Sequence, residues 1–304
     1  MKHSHKITFL IIAMFFLAQL IGIYVVKNYS LYEKEIKNLE ENFPKDYKLP
    51  YGLSQDEEIS PIDVLFSIIF SIIFAVFIIF LLMQLKAETF LRAWFLFVVT
   101  LAIAITINSL FLGVKFGSLI SLIIALPIAI VKIYRRNILV HNLSELVIYP
   151  GIAAIFVPLL NVFSTIFLLI FISLYDIYAV WHAGFMQKMA KYQIQKLRLF
   201  SGFFVPYIND KDRRLIKELT EKELKKKKVK VHVALLGGGD VVFPIIVAGV
   251  VLFAYGIFSA LIISIGATLA LSLLLYFSEK GKFYPAMPFI SAGCFISLLI
   301  VYLL

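Results

Sequence analysis

The sequence predicts an all-α membrane protein with nine transmembrane helices. Of its 304 residues, 61% are hydrophobic and 16% are charged, whereas soluble domains carry about 25% charged residues. The apolar residues form blocks of about 20, the length that crosses a hydrocarbon core of about 30 Å. The block from Phe70 to Met83 does not alternate apolar and polar residues as barrel strands do. The spans are therefore predicted to be helices, which satisfy their own backbone hydrogen bonds in lipid.

Nine apolar blocks along the chain account for these helices. Their predicted bounds are 7–26, 61–83, 91–112, 117–134, 138–158, 161–182, 232–254, 257–277 and 284–303. Lys2 and Lys6 precede the first block, as in a signal peptide. However, this block is longer than a usual signal-peptide core, and no clear small-residue cleavage site precedes Lys27. We therefore expect it to be retained as the first span.

Lysine and arginine are unevenly distributed among the segments between the spans. If the N-terminus is cytoplasmic, the basic residues concentrate in cytoplasmic segments, above all in residues 183–231 with the run Lys225 to Lys228. The five lysines of segment 27–60 are diluted by acids, and the other outside turns are nearly uncharged. Enrichment of cytoplasmic segments in Lys and Arg predicts a cytoplasmic N-terminus and an outside C-terminus. The net charge of +10 then indicates loop placement and contact with anionic lipid, not nucleic-acid binding.

Several chemistries are disfavoured by the residues that the sequence lacks. Cys294 is the one cysteine, so a disulfide framework or a CxxC redox pair cannot form. There is no HExxH zinc motif, no GxSxG serine elbow and no Walker A sequence. We expect no metal and no cofactor.

Two aspartates lie well inside predicted spans, where a charge costs roughly 2.5–3.5 kcal/mol. Asp176 comes about seven residues before the cytoplasmic end of span six, and Asp240 about nine residues into span seven. At a rise of about 1.5 Å per residue, these positions are about 10 Å and about 13 Å deep. The two spans are consecutive and antiparallel, so the aspartates are expected at similar depths, where they could face each other.

Two carboxylates in one dry pocket cannot both ionise readily, so the pair retains one proton. One group can then activate water while the other protonates a carbonyl oxygen or a leaving nitrogen. This arrangement suits peptide hydrolysis. Gly237, Gly238 and Gly239 directly before Asp240 weaken the helix and leave its backbone accessible to a substrate. Close helix packing through small residues is the alternative interpretation of these glycines.

Three motifs together resemble those of the presenilin and signal peptide peptidase family of intramembrane aspartyl proteases. Tyr175-Asp176 resembles the YD motif, and the sequence from Gly237 to Asp240 resembles the GxGD motif. The sequence from Pro285 to Pro288 is similar to the PAL motif, with Met287 where Leu is usual. The motif order, the nine spans and the long loop after span six also match. The N-in orientation resembles presenilin, whereas the residues after GxGD look closer to the peptidase branch. The compact length favours a microbial (archaeal) homologue.

This resemblance implies hydrolysis of peptide bonds within transmembrane segments or signal-peptide remnants. Asp176 and Asp240 would be the catalytic pair, and further residues would line or shape the site. These further residues are Tyr175, Gly237, Gly238, Gly239, Pro285, Ala286, Met287 and Pro288. A substrate helix must unwind, and its extended backbone could pair near Gly237 or with the stretch from Leu199 to Val205. The implied partners are substrate helices and the bilayer without required accessory subunits, and the location is the plasma membrane if the source is prokaryotic.

Other interpretations stay open from the residues alone. The same aspartates could serve a proton- or cation-coupled transporter or channel, and a catalytically silent scaffold could retain the fold. His141 and Glu145 share a helix face and are expected to hydrogen-bond each other near the interface, with support of the active site as the alternative. We divide the chain into helices one to six (1–182), a basic cytoplasmic loop (183–231) and helices seven to nine (232–304).

Overall fold

A computed structural model describes residues 5–39, 48–54, 61–85, 87–135, 137–181, 201–207, 232–278 and 284–304. In this part of the chain, nine helices form the fold. They are α1 (His5–Leu39), α2 (Pro61–Gln84), α3 (Glu88–Asn108), α4 (Gly117–Tyr134), α5 (Ile138–Phe156), α6 (Val162–Trp181), α7 (Gly238–Tyr255), α8 (Ile257–Phe277) and α9 (Met287–Leu303). The first eight are long and apolar enough to cross a membrane, and α9 is a shorter apolar helix. The predicted nine-helix, multi-pass membrane fold is confirmed.

In the described part of the chain, two short antiparallel sheets accompany the helices. The strands are β1 (Lys48–Leu49) with β2 (Leu53–Ser54), and β3 (Gly202–Tyr207) with β4 (His232–Gly237). Strand β4 leads directly into α7, which carries the predicted catalytic residue Asp240. We therefore call the β3–β4 pair the active-site hairpin. The predicted basic loop lies outside the described residues except for 201–207.

The predicted start of span seven at residue 232 is wrong. Residues 232–237 form β4, and the helix begins at Gly238. The apolar run is continuous across this boundary, so hydropathy alone could not divide it. Glycines are poor helix formers, and they lie where the chain turns from strand to helix. Asp240 is therefore the third residue of α7 rather than nine residues into a span, and the predicted depth of about 13 Å does not apply.

Helix α7 lies at the centre of the fold. It packs against α1, α5, α6, α8 and α9, and 61% of its span is buried, compared with 6% for α2. The α1–α7 contact is especially close at Gly22, where an added Cβ would lie 2.2 Å from Ile245 Cγ2. Gln19 of α1 donates through Nε2 to the carbonyl oxygen of Val241 at 3.1 Å. These contacts fix the segment of α7 that follows Asp240.

Helix α5 contacts the active-site hairpin along strand β3. The Asn137 side chain caps α5 by accepting from the backbone nitrogens of Leu139 and Val140 at 2.9 and 3.4 Å, as N-cap residues do. One turn later, Asn142 forms two hydrogen bonds with the backbone of Phe204 in β3, each 2.9 Å long. The cap and the Asn142 contacts therefore link the start of α5 to the hairpin.

Candidate active site

Asp176 lies near the C-terminal end of α6 and is 6% exposed. Its Oδ2 accepts a 3.0 Å hydrogen bond from the backbone N–H of Met287, the first residue of α9. The N-terminal N–H groups of a helix have no partner within the helix, so Asp176 satisfies one of them. One turn earlier on α6, Ser173 Oγ donates to Ser291 Oγ of α9 at 2.9 Å. These two contacts orient the Asp176 carboxylate relative to α9.

Asp240 lies in the first turn of α7, directly after the active-site hairpin. An acidic side chain is favourable at this end of a helix because of the helix dipole. The side chain folds back toward the strand, since a Cβ added to Gly237 would lie 3.1 Å from Asp240 Oδ2. As a whole residue, Asp240 is half-buried. Pro244, one turn later, lacks the N–H that would bond the Asp240 carbonyl oxygen within the helix.

The two carboxylates belong to helices that pack directly against each other and against α9. They are close enough for the charge of Asp176 to act on Asp240. Chemically, the pair combines a carboxylate bonded to a helix N-terminus with a carboxylate beside a strand end. Such a pair can share a proton and act as acid and base on one substrate.

Among the described residues, the active-site hairpin has one closed edge and one open edge. The Gly202 carbonyl oxygen accepts from His141 Nε2 at 2.8 Å if that nitrogen carries the proton, and Asn142 bonds both backbone groups of Phe204. The backbone groups of these β3 residues therefore point away from β4. In an antiparallel pair their partners point outward on the other side, so Leu235, opposite Phe204, faces away from β3. The outer edge of β3 is bonded to α5, whereas the outer edge of β4 leads directly to Asp240.

The other predicted site residues differ in their surroundings. Tyr175 is 39% exposed on α6, next to Asp176. Pro285 and Met287 are buried and Pro288 is half-buried at the start of α9, where the Met287 backbone contacts Asp176. Of the stretch from Leu199 to Val205, residues 202–205 belong to β3, in which Phe203 is fully buried. The sequence motifs thus meet at the ends of α6, α7 and α9.

Sequence reasoning missed a buried ion pair behind the site. Glu145 Oε1 lies 2.5 Å from Lys132 Nζ of α4, and the two side chains are 1% and 7% exposed. His141 Nε2 is 3.7 Å from the same oxygen, so the expected hydrogen bond between His141 and Glu145 is wrong. Lys132 comes thirteen residues earlier, on α4, so no helix-face spacing links it to Glu145. No sequence pattern within α5 could have revealed this partner.

Among the described residues, no group of three or more His, Cys, Asp or Glu side chains is arranged to hold a metal ion. The site in this part of the chain consists of two carboxylates, backbone N–H groups and an open strand edge.

Comparison with known proteins gives concordant findings. The model of the family described as signal-peptide peptidase, presenilin aspartyl protease matches residues 51–304. Two solved structures of a presenilin family intramembrane aspartate protease, in space groups C222 and P2, are similar to this chain at 16% identity and with TM-scores of 0.60 and 0.58. The alignments cover 97% of this chain and 98% of the first structure, and 96% of each chain for the second. At this identity the likeness shows the fold. Curated protein sequences give no match.

Proposed function

Because the chain belongs to the signal-peptide peptidase and presenilin family of aspartyl proteases, and is thus an intramembrane aspartyl protease, we propose that Asp176 and Asp240 are its catalytic pair. The observation that supports this assignment most directly is their placement on packed helices within electrostatic range of each other. One carboxylate takes a proton from water as the water attacks the peptide carbonyl carbon. The other gives its proton to the carbonyl oxygen. The first carboxyl then gives the proton taken from water to the leaving nitrogen as the C–N bond breaks, and the second recovers a proton from a hydroxyl of the tetrahedral intermediate. Neither the family match nor the fold supports the transporter alternative.

The substrates are the transmembrane segments or signal-peptide remnants of membrane proteins. An intact helix uses its own amides and carbonyls in hydrogen bonds, so the cleaved stretch must be extended when it reaches the aspartates. Tyr175 lines the approach from α6, and the segment from Pro285 to Pro288 shapes the opposite wall through the Met287–Asp176 contact. Both carboxylates come from this chain, which supports cleavage without accessory subunits.

The extended substrate pairs with the outer edge of β4, in an antiparallel or parallel sense. Val233 and Leu235 support this choice because their side chains are 37% and 44% exposed and their backbone groups point away from β3. β3 cannot offer the same edge at Phe204, where Asn142 already bonds both backbone groups. A strand added to β4 would run past Gly237 to Asp240. The open edge therefore delivers substrate backbone to one carboxylate of the pair.

The proposed topology has a cytoplasmic N-terminus and an outside C-terminus. Lys and Arg in cytoplasmic segments support it, with residues 183–231 forming the basic loop between helices one to six and helices seven to nine. This loop lies against anionic lipid. In a prokaryotic cell the protein resides in the plasma membrane.

The catalytic assignment is tested by cleavage of a labelled single-span substrate by the full chain, purified in detergent. Asp176→Asn and Asp240→Asn each lower the rate at least about a hundredfold, since general acid–base catalysis contributes at least that much. Asp63→Asn is the matched control, because Asp63 is an exposed acid in the first turn of α2, and it cleaves as wild type does. Cleavage by either site variant at the wild-type rate would show that these aspartates are not the catalytic pair.

A further inference from the structure

Asn142, near the start of α5, bonds the active-site hairpin as a neighbouring strand would. Its Nδ2 donates to the Phe204 carbonyl oxygen and its Oδ1 accepts from the Phe204 N–H, and both contacts are 2.9 Å long. The side-chain amide of asparagine offers the same kinds of donor and acceptor as a peptide group. One side chain therefore satisfies both outward backbone groups of Phe204, which an added strand would otherwise use.

Two further features close the outer edge of β3 on either side of Phe204. Toward the start of the strand, the Gly202 carbonyl oxygen lies 2.8 Å from His141 Nε2. Toward its end, Pro206 lies opposite Val233. Pro206 is two residues from Phe204, so its backbone nitrogen faces the same way, and this nitrogen has no hydrogen to donate to a further strand. The edge of β3 is therefore anchored to α5.

This anchor matters because the hairpin joins α7 through glycine. Gly237, Gly238 and Gly239 link β4 to Asp240, and glycine restricts backbone rotation less than any other residue. The Gly238 N–H bonds the carbonyl oxygen of Ser201, directly before β3, at 3.3 Å. The junction and β4 are thus both tied to β3, and β3 is tied to α5. The α5 contacts therefore fix the direction in which β4 approaches the aspartates.

We propose that Asn142 is a positioning residue of the protease: it takes the place of a strand beside β3, fixes the active-site hairpin, and so sets which bond of a substrate paired with β4 reaches the aspartates. The inference rests on the catalytic pair and the β4 edge proposed above. Successive residues of an extended chain are about 3.3 Å apart, so a hairpin that swings by this distance presents a neighbouring peptide bond. Asn142 bonds the edge of β3 that faces away from β4, so it acts through the hairpin and not by touching substrate.

Asn142→Leu tests the proposal, because leucine is similar in size and makes neither hydrogen bond. The full chain, purified in detergent, cleaves the labelled single-span substrate, and mass spectrometry of the products identifies each bond that is cut. We expect kcat to fall about tenfold, the effect of about one hydrogen bond, and KM to change little because the β4 edge is intact. Products cut at neighbouring bonds increase relative to wild type. Wild-type kcat and product ratios in a folded Asn142→Leu would overturn the proposal.

The matched control is Thr106→Val on α3. Thr106 Oγ1 donates to the Val147 carbonyl oxygen of α5 at 2.6 Å, so this variant removes a bond that α5 makes to another helix rather than to the hairpin. Its melting temperature falls, whereas its products keep the wild-type ratios. If Thr106→Val spread the products as widely as Asn142→Leu, Asn142 would only support α5, and the proposal would be wrong.

A milder variant applies if Asn142→Leu does not fold. Asn142→Asp keeps the shape of the side chain and the acceptor for the Phe204 N–H, and it replaces the donor with an oxygen that repels the Phe204 carbonyl oxygen. The products again spread to neighbouring bonds. Unchanged product ratios in Asn142→Asp would then reject the proposal.

A second readout needs no substrate cleavage. Hydrogen–deuterium exchange of the full chain in detergent measures how often the backbone N–H groups of residues 232–237 open. In Asn142→Leu we expect faster exchange in β4, although Asn142 bonds β3, and in Thr106→Val exchange as in wild type. Unchanged β4 exchange in Asn142→Leu rejects the proposal even if the wild type cleaves no substrate. Inactive Asp176→Asn together with wild-type products from Asn142→Leu rejects the role of Asn142 and keeps the catalytic pair.

Discussion

Gly238 has closer neighbours than the two glycines beside it. A Cβ on Gly238 would lie 2.9 Å from Ser201 Oγ and 3.1 Å from Tyr149 Cε1, whereas at Gly239 the nearest atom is 3.6 Å away, on Phe243. The sequence allowed two interpretations of these glycines, substrate access and close packing. The structure favours access at Gly239 and close packing at Gly238. The sequence could not distinguish the two glycines, because the neighbours of Gly238 are distant along the chain: Ser201 directly precedes β3, and Tyr149 lies on α5.

We therefore expect opposite effects on stability from alanine at these two positions. Gly238→Ala overfills the contact with Tyr149 and Ser201 and destabilises the fold by about 1–3 kcal/mol. Gly239→Ala makes an ordinary van der Waals contact with Phe243, 3.6 Å away, and reduced freedom of the unfolded chain stabilises the fold by about 0.4–1 kcal/mol. Thermal unfolding in one detergent measures both. Equal melting temperatures for the two variants would show that Tyr149 and Ser201 move aside at no cost.

The elements around the site show where hydropathy fails as a guide. Seven helices, α2 to α6, α8 and α9, lie close to their predicted bounds because about 20 apolar residues in lipid have few alternatives to a helix. Helix α1 continues to Leu39, beyond its predicted end at residue 26. Residues 232–237 are equally apolar, but they pair with β3, whose sequence position is 30 residues earlier. Strand pairing and the Lys132–Glu145 ion pair are contacts between distant segments, and neither leaves a local pattern. The site aspartates were found because their charges are exceptional within apolar spans.

The open edge of β4 can be tested without breaking the active-site hairpin. Leu235→Pro removes only an outward N–H, which proline tolerates on an edge strand, and Leu235→Ala is the matched control that removes the side chain but keeps the N–H. We expect Leu235→Pro to lower cleavage about tenfold relative to Leu235→Ala, since one backbone hydrogen bond to substrate and the fit beside it are lost. Folding is monitored by the melting temperature. If the two variants cleave equally while both remain folded, substrate does not pair with β4.

At the scale of the whole molecule, hydropathy and charge predict different properties. The length of the apolar blocks predicts the number of helices. The orientation depends on which side of the membrane retains the basic segments, and this is decided during membrane insertion rather than by helix packing. The packed helices are compatible with either orientation, because their buried contacts are the same in both. The proposed orientation therefore rests on the distribution of Lys and Arg and not on the packing of the helices.

The orientation is tested with single cysteines in two exposed turns, in a Cys294→Ala background. Lys115, between α3 and α4, is expected outside, and Arg135, between α4 and α5, is expected in the cytoplasm; both residues are exposed. A membrane-impermeant maleimide added to intact cells labels Lys115→Cys and leaves Arg135→Cys unlabelled until the membrane is permeabilised. The helix between them is 18 residues long, about 27 Å at the α-helical rise, so the two turns cannot share a side if α4 spans the bilayer. Labelling of Arg135→Cys alone in intact cells would invert the proposed topology and place the site aspartates near the outer surface.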